Sequence, residues 1–353
     1  MSDPELGNGL AAQTTVTVAD FARIFRRIQS EIHKAIVGHE QAIEELLSAL
    51  FAGGHVLIEG VPGTGKTTLV KSLGQALNLS FNRVQFTVDL MPADITGTRV
   101  ILSGADGRRE FSFQPGPIFC HILLGDEINR ATPKTQSALL EAMAERQVTA
   151  GGVTYPLAPP YFVMATLNPI EMEGTYPLPE AQLDRFLFKV RLGYPGEEEL
   201  VRIISATTGA PESPVEPVFA AIEAAGAIEQ LKRLVREVIV APTIEHYAAR
   251  MVRATQPENS RVLGDLHSPI KVDAVTRYVS FGSSPRGAQA LILGAKVRAL
   301  LDGRANIAYE DIDRVAPAAL EHRIMLNYAA HTDNVDAARI VEEAVKAVQA
   351  ARR

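Results

Sequence analysis

At 353 residues the chain is longer than a single core usually accommodates, so two domains are expected. Hydrophobic content of 46% is that of a globular protein, and 35 Lys and Arg against 41 Asp and Glu, a formal net charge of -6, count against a dedicated nucleic-acid binder. One cysteine excludes an intrachain disulfide framework, and no apolar run approaches the roughly 18 residues of a membrane-crossing helix.

Residues 1–16 are small and polar, and disorder is expected there. They hold Asp3 and Glu5 and no basic-then-apolar leader pattern, so a cytoplasmic location is expected. Phe21, Ile24, Phe25, Ile28 and Ile32 recur at helical spacing, with Thr17 or Asp20 placed to cap that helix. A turn at Val37-Gly38-His39 leads to a second helix carrying Ile43, Leu46, Leu47 and Leu50.

Next comes Gly60-Val61-Pro62-Gly63-Thr64-Gly65-Lys66-Thr67, which fits G-x-x-x-x-G-K-[ST] at every position. An apolar run from His55 precedes it, and helix formers from Thr68 follow, the strand–loop–helix context that the motif requires. Its glycines let backbone N–H groups turn inward around phosphate oxygens, and the helix adds the positive end of its dipole. Lys66 suits the β- and γ-phosphates, and the Thr67 hydroxyl suits Mg²⁺.

Phe81–Phe86 reads as a second strand. Residues 98–113 read as a hairpin turning near Asp106-Gly107, with a basic tip of Arg99, Arg108 and Arg109 that is most simply a solvated end. Ile118–Gly125 is an apolar third strand running into Asp126-Glu127; Cys120 within it reads as a core thiol. Thr135–Arg146 is helical, and 147–157 reads as a second hairpin turning at Gly151-Gly152. Tyr161–Thr166 and Leu187–Val190 are the fourth and fifth strands. Strands alternating with helices behind a phosphate loop make a doubly wound α/β domain over 17–194.

From Pro195 the pattern becomes helical: Glu197–Ala206, Ile228–Arg236, Thr243–Ala254, Lys271–Val279, Arg286–Leu301 and Tyr309–Leu320. An all-α second domain over 195–330 is expected, with a mobile loop at Gln256–Ser268. A terminal helix within 331–353, with Val341, Val345 and Val348 on one face, is either docked or a partner-binding tail.

ATP hydrolysis needs one carboxylate to hold Mg²⁺ and another to orient and deprotonate water. Asp126 suits the first task and Glu127 the second, since acids at the carboxyl end of a strand face the ligand crevice of α/β sheets. Asn168 ends the next strand, where an amide would help hold the attacking water; its place at the crevice favours that reading over a turn asparagine before Pro169. Arg185 and Arg286 are the arginines of interest, and from position alone each is a surface residue or ion-pair partner.

On these residues the chain resembles the MoxR family of AAA+ ATPases, from about Val18 to Leu326. The specific stretches are Asp126-Glu127-Ile128-Asn129-Arg130-Ala131, Ala165-Thr166-Leu167-Asn168-Pro169 and the run from Glu173 to Phe186. Leu167 stands where most relatives have glutamine, and Gly125 where a small residue such as alanine is usual. The resemblance implies a P-loop AAA+ core with a parallel sheet flanked by helices and an all-α lid. It implies that Asn168 is the sensor-1 residue, Arg286 the sensor-2 arginine of the lid, and Arg185 an arginine finger acting on a neighbouring subunit's nucleotide. Val37 and Gly38 match the segment lining the adenine pocket, while Gly60, Pro62, Gly63, Thr64, Gly65, Lys66, Thr67 and Thr68 hold the nucleotide and Thr67 and Asp126 the metal. Both hairpins resemble inserts that face a ring pore.

The resemblance further implies ATP and Mg²⁺ as ligands, a homo-oligomer of hexameric form, and partners with von Willebrand factor A domains. The activity implied is a chaperone-like motor that remodels or matures client proteins. A magnesium-chelatase-like ATPase subunit and a nucleic-acid motor are the alternatives. The run at 173–186 argues against the first and the acidic charge against the second, and no membrane insertion is expected. A nucleotide-gated scaffold without turnover is disfavoured by the full set of acids, asparagine and arginines.

Overall fold

The computed structural model describes residues 16–61, 63–103, 109–167, 175–209, 214–257, 259–260, 264–265 and 270–352. The expectations for residues 1–15, Pro62, the first hairpin's turn, Asn168 and most of the loop at 256–268 therefore lie outside the described residues.

Helix α1 (Val18–His33) begins with a reciprocal cap. The Thr17 hydroxyl accepts from Asp20 N–H at 3.2 Å, and the Asp20 carboxylate accepts from Thr17 N–H at 3.1 Å. Its apolar face buries Phe21, Phe25, Ile28 and Ile32, as the spacing predicts. Helix α2 (Glu40–Ala52) packs beside it, and Phe51 meets Phe21 edge-on at 5.3 Å.

The centre is a five-stranded sheet. Its elements in chain order are β1 (Val56–Gly60), α3 (Lys66–Leu77), β2 (Phe81–Gln85), α4 (Pro92–Thr96), the hairpin β3 (Gly97–Ser103) and β4 (Arg109–Pro115), and β5 (Ile122–Asp126). Then come α5 (Pro133–Glu145), the hairpin β6 (Gln147–Ala150) and β7 (Val153–Pro156), β8 (Phe162–Leu167), α6 (Glu180–Leu183) and β9 (Phe188–Leu192). Strand order is β2-β5-β8-β1-β9, with every pairing parallel. Pairings Gly60↔Leu192, Glu59↔Leu167 and Gln85↔Asp126 bring the carboxyl ends to one edge. Alternate strand residues enter two cores. Val56, Ile58, Ile122, Leu124, Met164 and Val190 face the larger, and Leu57, Leu123, Val163 and Ala165 face the smaller. Burial on both faces is why these strands read as unbroken apolar runs.

The third strand begins at Ile122, four residues later than its apolar pattern predicts. Ile118 and Cys120 are buried in the smaller core but sit in a tight turn, with Phe119 N–H on Gly116 and Cys120 N–H on Ile118. Apolarity there records burial, not extension. Burial also pushes the Cys120 thiol up to about 12, in keeping with an inert core residue.

Both hairpins form. Gly151 and Gly152 hold φ of +58° and +79°, the paired left-handed geometry of a two-residue turn. The hairpins are also joined to each other. Arg99 donates to the Gly151 carbonyl at 3.2 Å, and Phe113 stacks on Tyr155 with centroids 3.9 Å apart.

The remaining helices are α7 (Glu197–Thr208), α8 (Ala224–Glu237), α9 (Pro242–Ala254), α10 (Asp273–Tyr278), α11 (Pro285–Leu301), α12 (Tyr309–Leu320), α13 (Tyr328–Thr332) and α14 (Ala337–Ala350). This part is helical, with two short antiparallel pairs that the sequence pattern does not reveal. They are β10 (Asn259–Ser260) with β11 (Gly264–Asp265), and β12 (Val279–Phe281) with β13 (Met325–Leu326). Of the two alternatives for the last helix, the docked one holds: Ile340, Val341, Ala344 and Val348 are buried, and α14 packs on α9 and α12. Apolar residues of α8, α9, α11, α12 and α14 share one core with α1, α2 and the sheet.

His55 ties the start of β1 into this frame. Its Nδ1 accepts from Val163 N–H at 3.1 Å, so Nε2 carries the proton and donates to the Met143 carbonyl at 3.2 Å. Both nitrogens are satisfied only in the neutral ring, and burial pulls the pKa down to about 4 from 6.5. The stabilisation this gives is complete above pH 6.5 and is lost as pH falls toward 4, up to about 3 kcal/mol. Chemical denaturation of wild type and His55→Gln from pH 7 to pH 4 should show their stability difference shrinking as pH falls; a constant difference would contradict the assignment.

Candidate nucleotide site

The loop between β1 and α3 is shaped by two left-handed glycines, Gly63 at φ +85° and Gly65 at φ +79°. Gly60 has a different constraint: a Cβ there would stand 2.9 Å from the Leu192 carbonyl of the neighbouring strand. Thr64 is buried and donates to the Val61 carbonyl at 3.0 Å, closing the turn from inside. The first helical bond runs from Leu69 N–H to the Gly65 carbonyl, so the N–H groups of Lys66, Thr67 and Thr68 have no partner within the helix. Those three donors and the dipole make an anion cradle. Lys66 reaches back to the Gly60 carbonyl at 2.6 Å. Its pKa is lowered by burial and partly restored by the charges of Asp126 and Glu127, which places both acids within electrostatic reach of the loop.

Asp126 closes β5, and both its oxygens are engaged. The Thr166 hydroxyl donates to Oδ1 at 2.6 Å, and Arg83 donates to Oδ2 through Nη2 at 2.7 Å and Nε at 3.2 Å. Glu127 follows in left-handed backbone geometry at φ +56°, which turns its side chain off the strand line. That turn is held by Glu127 N–H donating to the same Thr166 hydroxyl at 2.8 Å. One buried threonine on β8 thus orients the first acid and the backbone of the second. The Glu127 carboxylate accepts from Gln85 at 2.7 Å and Arg130 at 3.0 Å.

Thr166, Arg83 and Gln85 have no role in the sequence reading. Thr166 did leave a signal: a polar residue inside an otherwise apolar strand. Arg83 and Gln85 left none, because their value depends on β2 lying next to β5.

Val37 and Gly38 line a cleft of about 630 Å³ between the α1–α2 joint and the Val201, Arg202, Ser205 and Ala206 side of α7. Ile36 also lines this cleft, and a Cβ at Gly65 would stand 3.4 Å from its Cδ1, so the cleft borders the phosphate loop. The two arginines stand elsewhere. Arg185 donates to the Leu140 carbonyl of α5 at 2.6 Å. Arg286, 54% exposed, has its Nε 3.9 Å from Asp184. Among the described residues, neither is a partner of Lys66, Asp126 or Glu127.

The loop sits at the sheet's carboxyl edge, with β8 between its strand β1 and the strand β5 that runs into the two acids. The family model described as ATPase family associated with various cellular activities (AAA) matches residues 55–188, and the AAA lid domain model matches 273–344. The chain is 41% identical over 318 residues to chaperone MoxR1 of Mycobacterium tuberculosis, covering 90% of this chain and 80% of that one. It is 34% identical over 342 residues to the protein MoxR of Methylorubrum extorquens, covering 94% and 95%.

The chain belongs to the MoxR family of AAA+ ATPases.

The same architecture appears in the crystal structure of an ATPase candidate from Cytophaga hutchinsonii, with a TM-score of 0.80 and 35% identity, covering 94% of this chain and 96% of that one. The Bacillus subtilis protein YeaC is 42% identical over 331 residues, covering 94% and 96%. Membership of an AAA ATPase family implies nucleotide binding. No helix among the described residues is long and apolar enough to cross a membrane.

Thr166→Val keeps the shape of the buried side chain and removes both of its bonds. Each bond to a charged or backbone group is worth about 1.5 kcal/mol, so ATP turnover should fall at least about tenfold. Binding of a fluorescent ADP analogue, which depends on the loop, should stay near wild type. Turnover assays paired with equilibrium titration check this, and unchanged turnover would refute the role given to Thr166.

Proposed function

We propose that this MoxR-family protein hydrolyses ATP within a ring of identical subunits and uses the cycle to remodel partner proteins. The observation that carries the reading is the Thr166 bridge, which holds Asp126 and the Glu127 backbone in fixed relation beside the phosphate cradle.

The loop N–H groups and Lys66 would take the phosphates, with Val37 and Gly38 lining the base pocket. Thr67 and Asp126 would hold Mg²⁺; because both Asp126 oxygens already accept hydrogen bonds, contact through bound water fits the donor set better than direct ligation. The chemistry such an ion would supply there is charge neutralisation at the phosphates. The Glu127 carboxylate would take a proton from water as its oxygen attacks the γ-phosphorus and the bond to ADP breaks. Asn168 would orient that water. Arg286 would contact the subunit's own nucleotide, and Arg185 the neighbour's.

Arg185 acting in trans requires an oligomer, and a hexameric ring is the form proposed, in the cytoplasm. The residue ranges assigned are 17–194 for the nucleotide core, 195–330 for the lid and 331–353 for the docked tail. Ile101 and Phe111 are exposed on the first hairpin, joined by Arg99 to the second, and offer an apolar face to a polypeptide client. Partners with von Willebrand factor A domains are part of the proposal. The MoxR relatives favour it over the magnesium-chelatase and nucleic-acid readings.

Glu127→Gln should lower turnover by about 10²–10⁴-fold while ATP binding persists. Steady-state hydrolysis with a binding titration reads both, and normal turnover in that variant would sink the role of Glu127. Specific activity should also rise with protein concentration as light scattering records assembly. Flat activity from a monomer would leave a self-contained ATPase in place of the ring.

A further inference from the structure

Asp184 has no place in the reaction described above, yet three side chains converge on its carboxylate. Oδ1 accepts from Arg323 Nε at 2.8 Å. Oδ2 accepts from the Ser284 hydroxyl at 2.8 Å, and Arg286 Nε stands 3.9 Å from the same oxygen. Ser284 is the N-cap of α11, its hydroxyl oxygen also accepting from Arg286 N–H at 3.1 Å. One hydroxyl therefore links the Asp184 side chain directly to the backbone of Arg286. The residue after Asp184 is Arg185.

Arg323 makes this junction stiff. Its side chain is 2% exposed, and its guanidinium donates to the carbonyls of Phe186 at 2.6 Å, Leu187 at 3.1 Å and Asp184 at 3.3 Å. It also donates to the Ala319 carbonyl near the end of α12. The segment that carries Arg185 is thus fastened to α12 by a buried cation. A buried guanidinium needs a counter-ion, so Asp184 is not free to leave it. Its second oxygen faces the start of α11. Arg286, in contrast, is half exposed and lies beyond hydrogen-bond range, so it can swing at little cost.

We propose that Asp184 is a positioning residue that couples Arg286 to Arg185. Engagement of Arg286 by the subunit's own nucleotide shifts the N-terminus of α11. Ser284 passes that shift to Asp184, and the Arg323 clamp turns it into a movement of the 184–187 backbone that presents Arg185 to the neighbour. The proposal rests on the reading that Arg185 acts on the adjacent subunit's nucleotide.

A purely structural ion pair makes different predictions. Asp184→Asn strands Arg323 and endangers folding, so Ser284→Gly is the main test: glycine is tolerated at an N-cap, and only the hydroxyl link is lost. Ser284→Thr keeps the hydroxyl and serves as the conservative rescue. ATP turnover, affinity for a fluorescent ADP analogue and melting temperature are measured for each variant, in the wild-type and Arg185→Ala backgrounds.

The expected result is a fall in kcat of about tenfold for Ser284→Gly, the scale of one lost bond to a charged group, with analogue affinity and melting temperature near wild type and Ser284→Thr active. In the Arg185→Ala background the same change should cost less than about twofold, since both act through one group. Wild-type turnover in Ser284→Gly, or a full tenfold loss repeated without Arg185, overturns the coupling while leaving the ring ATPase intact. Undiminished turnover in Arg185→Ala itself removes the trans reading, and the coupling falls with it.

Discussion

The Thr166 hydroxyl is the interaction on which the candidate site depends. It donates to Asp126 and accepts from the Glu127 backbone, so one oxygen sets the direction of both acidic residues. It does this from a fully buried position on a central strand, where the side chain cannot wander. A hydrogen bond to a charged group in such a place is stronger than its solvent-exposed equivalent, and its loss leaves polar atoms without partners. The left-handed backbone of Glu127 is tolerable because this bond holds it.

That geometry in turn depends on the sheet. Thr166 lies beside Asp126 because β8 and β5 are hydrogen-bonded neighbours, and Arg83 reaches Asp126 because β2 is β5's other neighbour. Alternation of strand residues into two cores keeps the strands in register and leaves their polar carboxyl ends at one edge. His55 reinforces this at the opposite end of β1, bonding at once to β8 and α5. The phosphate cradle and the acids are thus two products of one strand order. The helical part is not a separate ball, since its core is continuous with that of α1, α2 and the sheet. Arg323 and Asp184 span the same junction with charge, next to the two arginines that the family resemblance singles out.

Much of this was legible in the chain. Apolar spacing located α1 and α2 and the faces they bury, because helical burial repeats every 3.6 residues whatever the partner. The Gly-Gly turn announced the second hairpin, since few other residues adopt φ above zero twice in succession. Apolar runs marked the strands but misplaced the start of β5, since Ile118 and Cys120 are buried without being extended. Short pairings such as β12 with β13 left no pattern, being too brief to show a period.

What the sequence by itself determined is the local chemistry: a glycine-patterned loop shaped to suit an anion, two acids at the end of an apolar strand, and the amphipathic helices around them. These are set by neighbours along the chain, within the reach of one turn or one strand. What only the tertiary structure decided is which distant residues complete the chemistry. Thr166, Arg83 and Gln85 lie about 40 residues from the acids they hold; Arg323 lies 139 residues from Asp184. No local pattern marks such pairs, because the hydrogen bond that gives each residue its role exists only once strand order and helix docking have brought the two ends together.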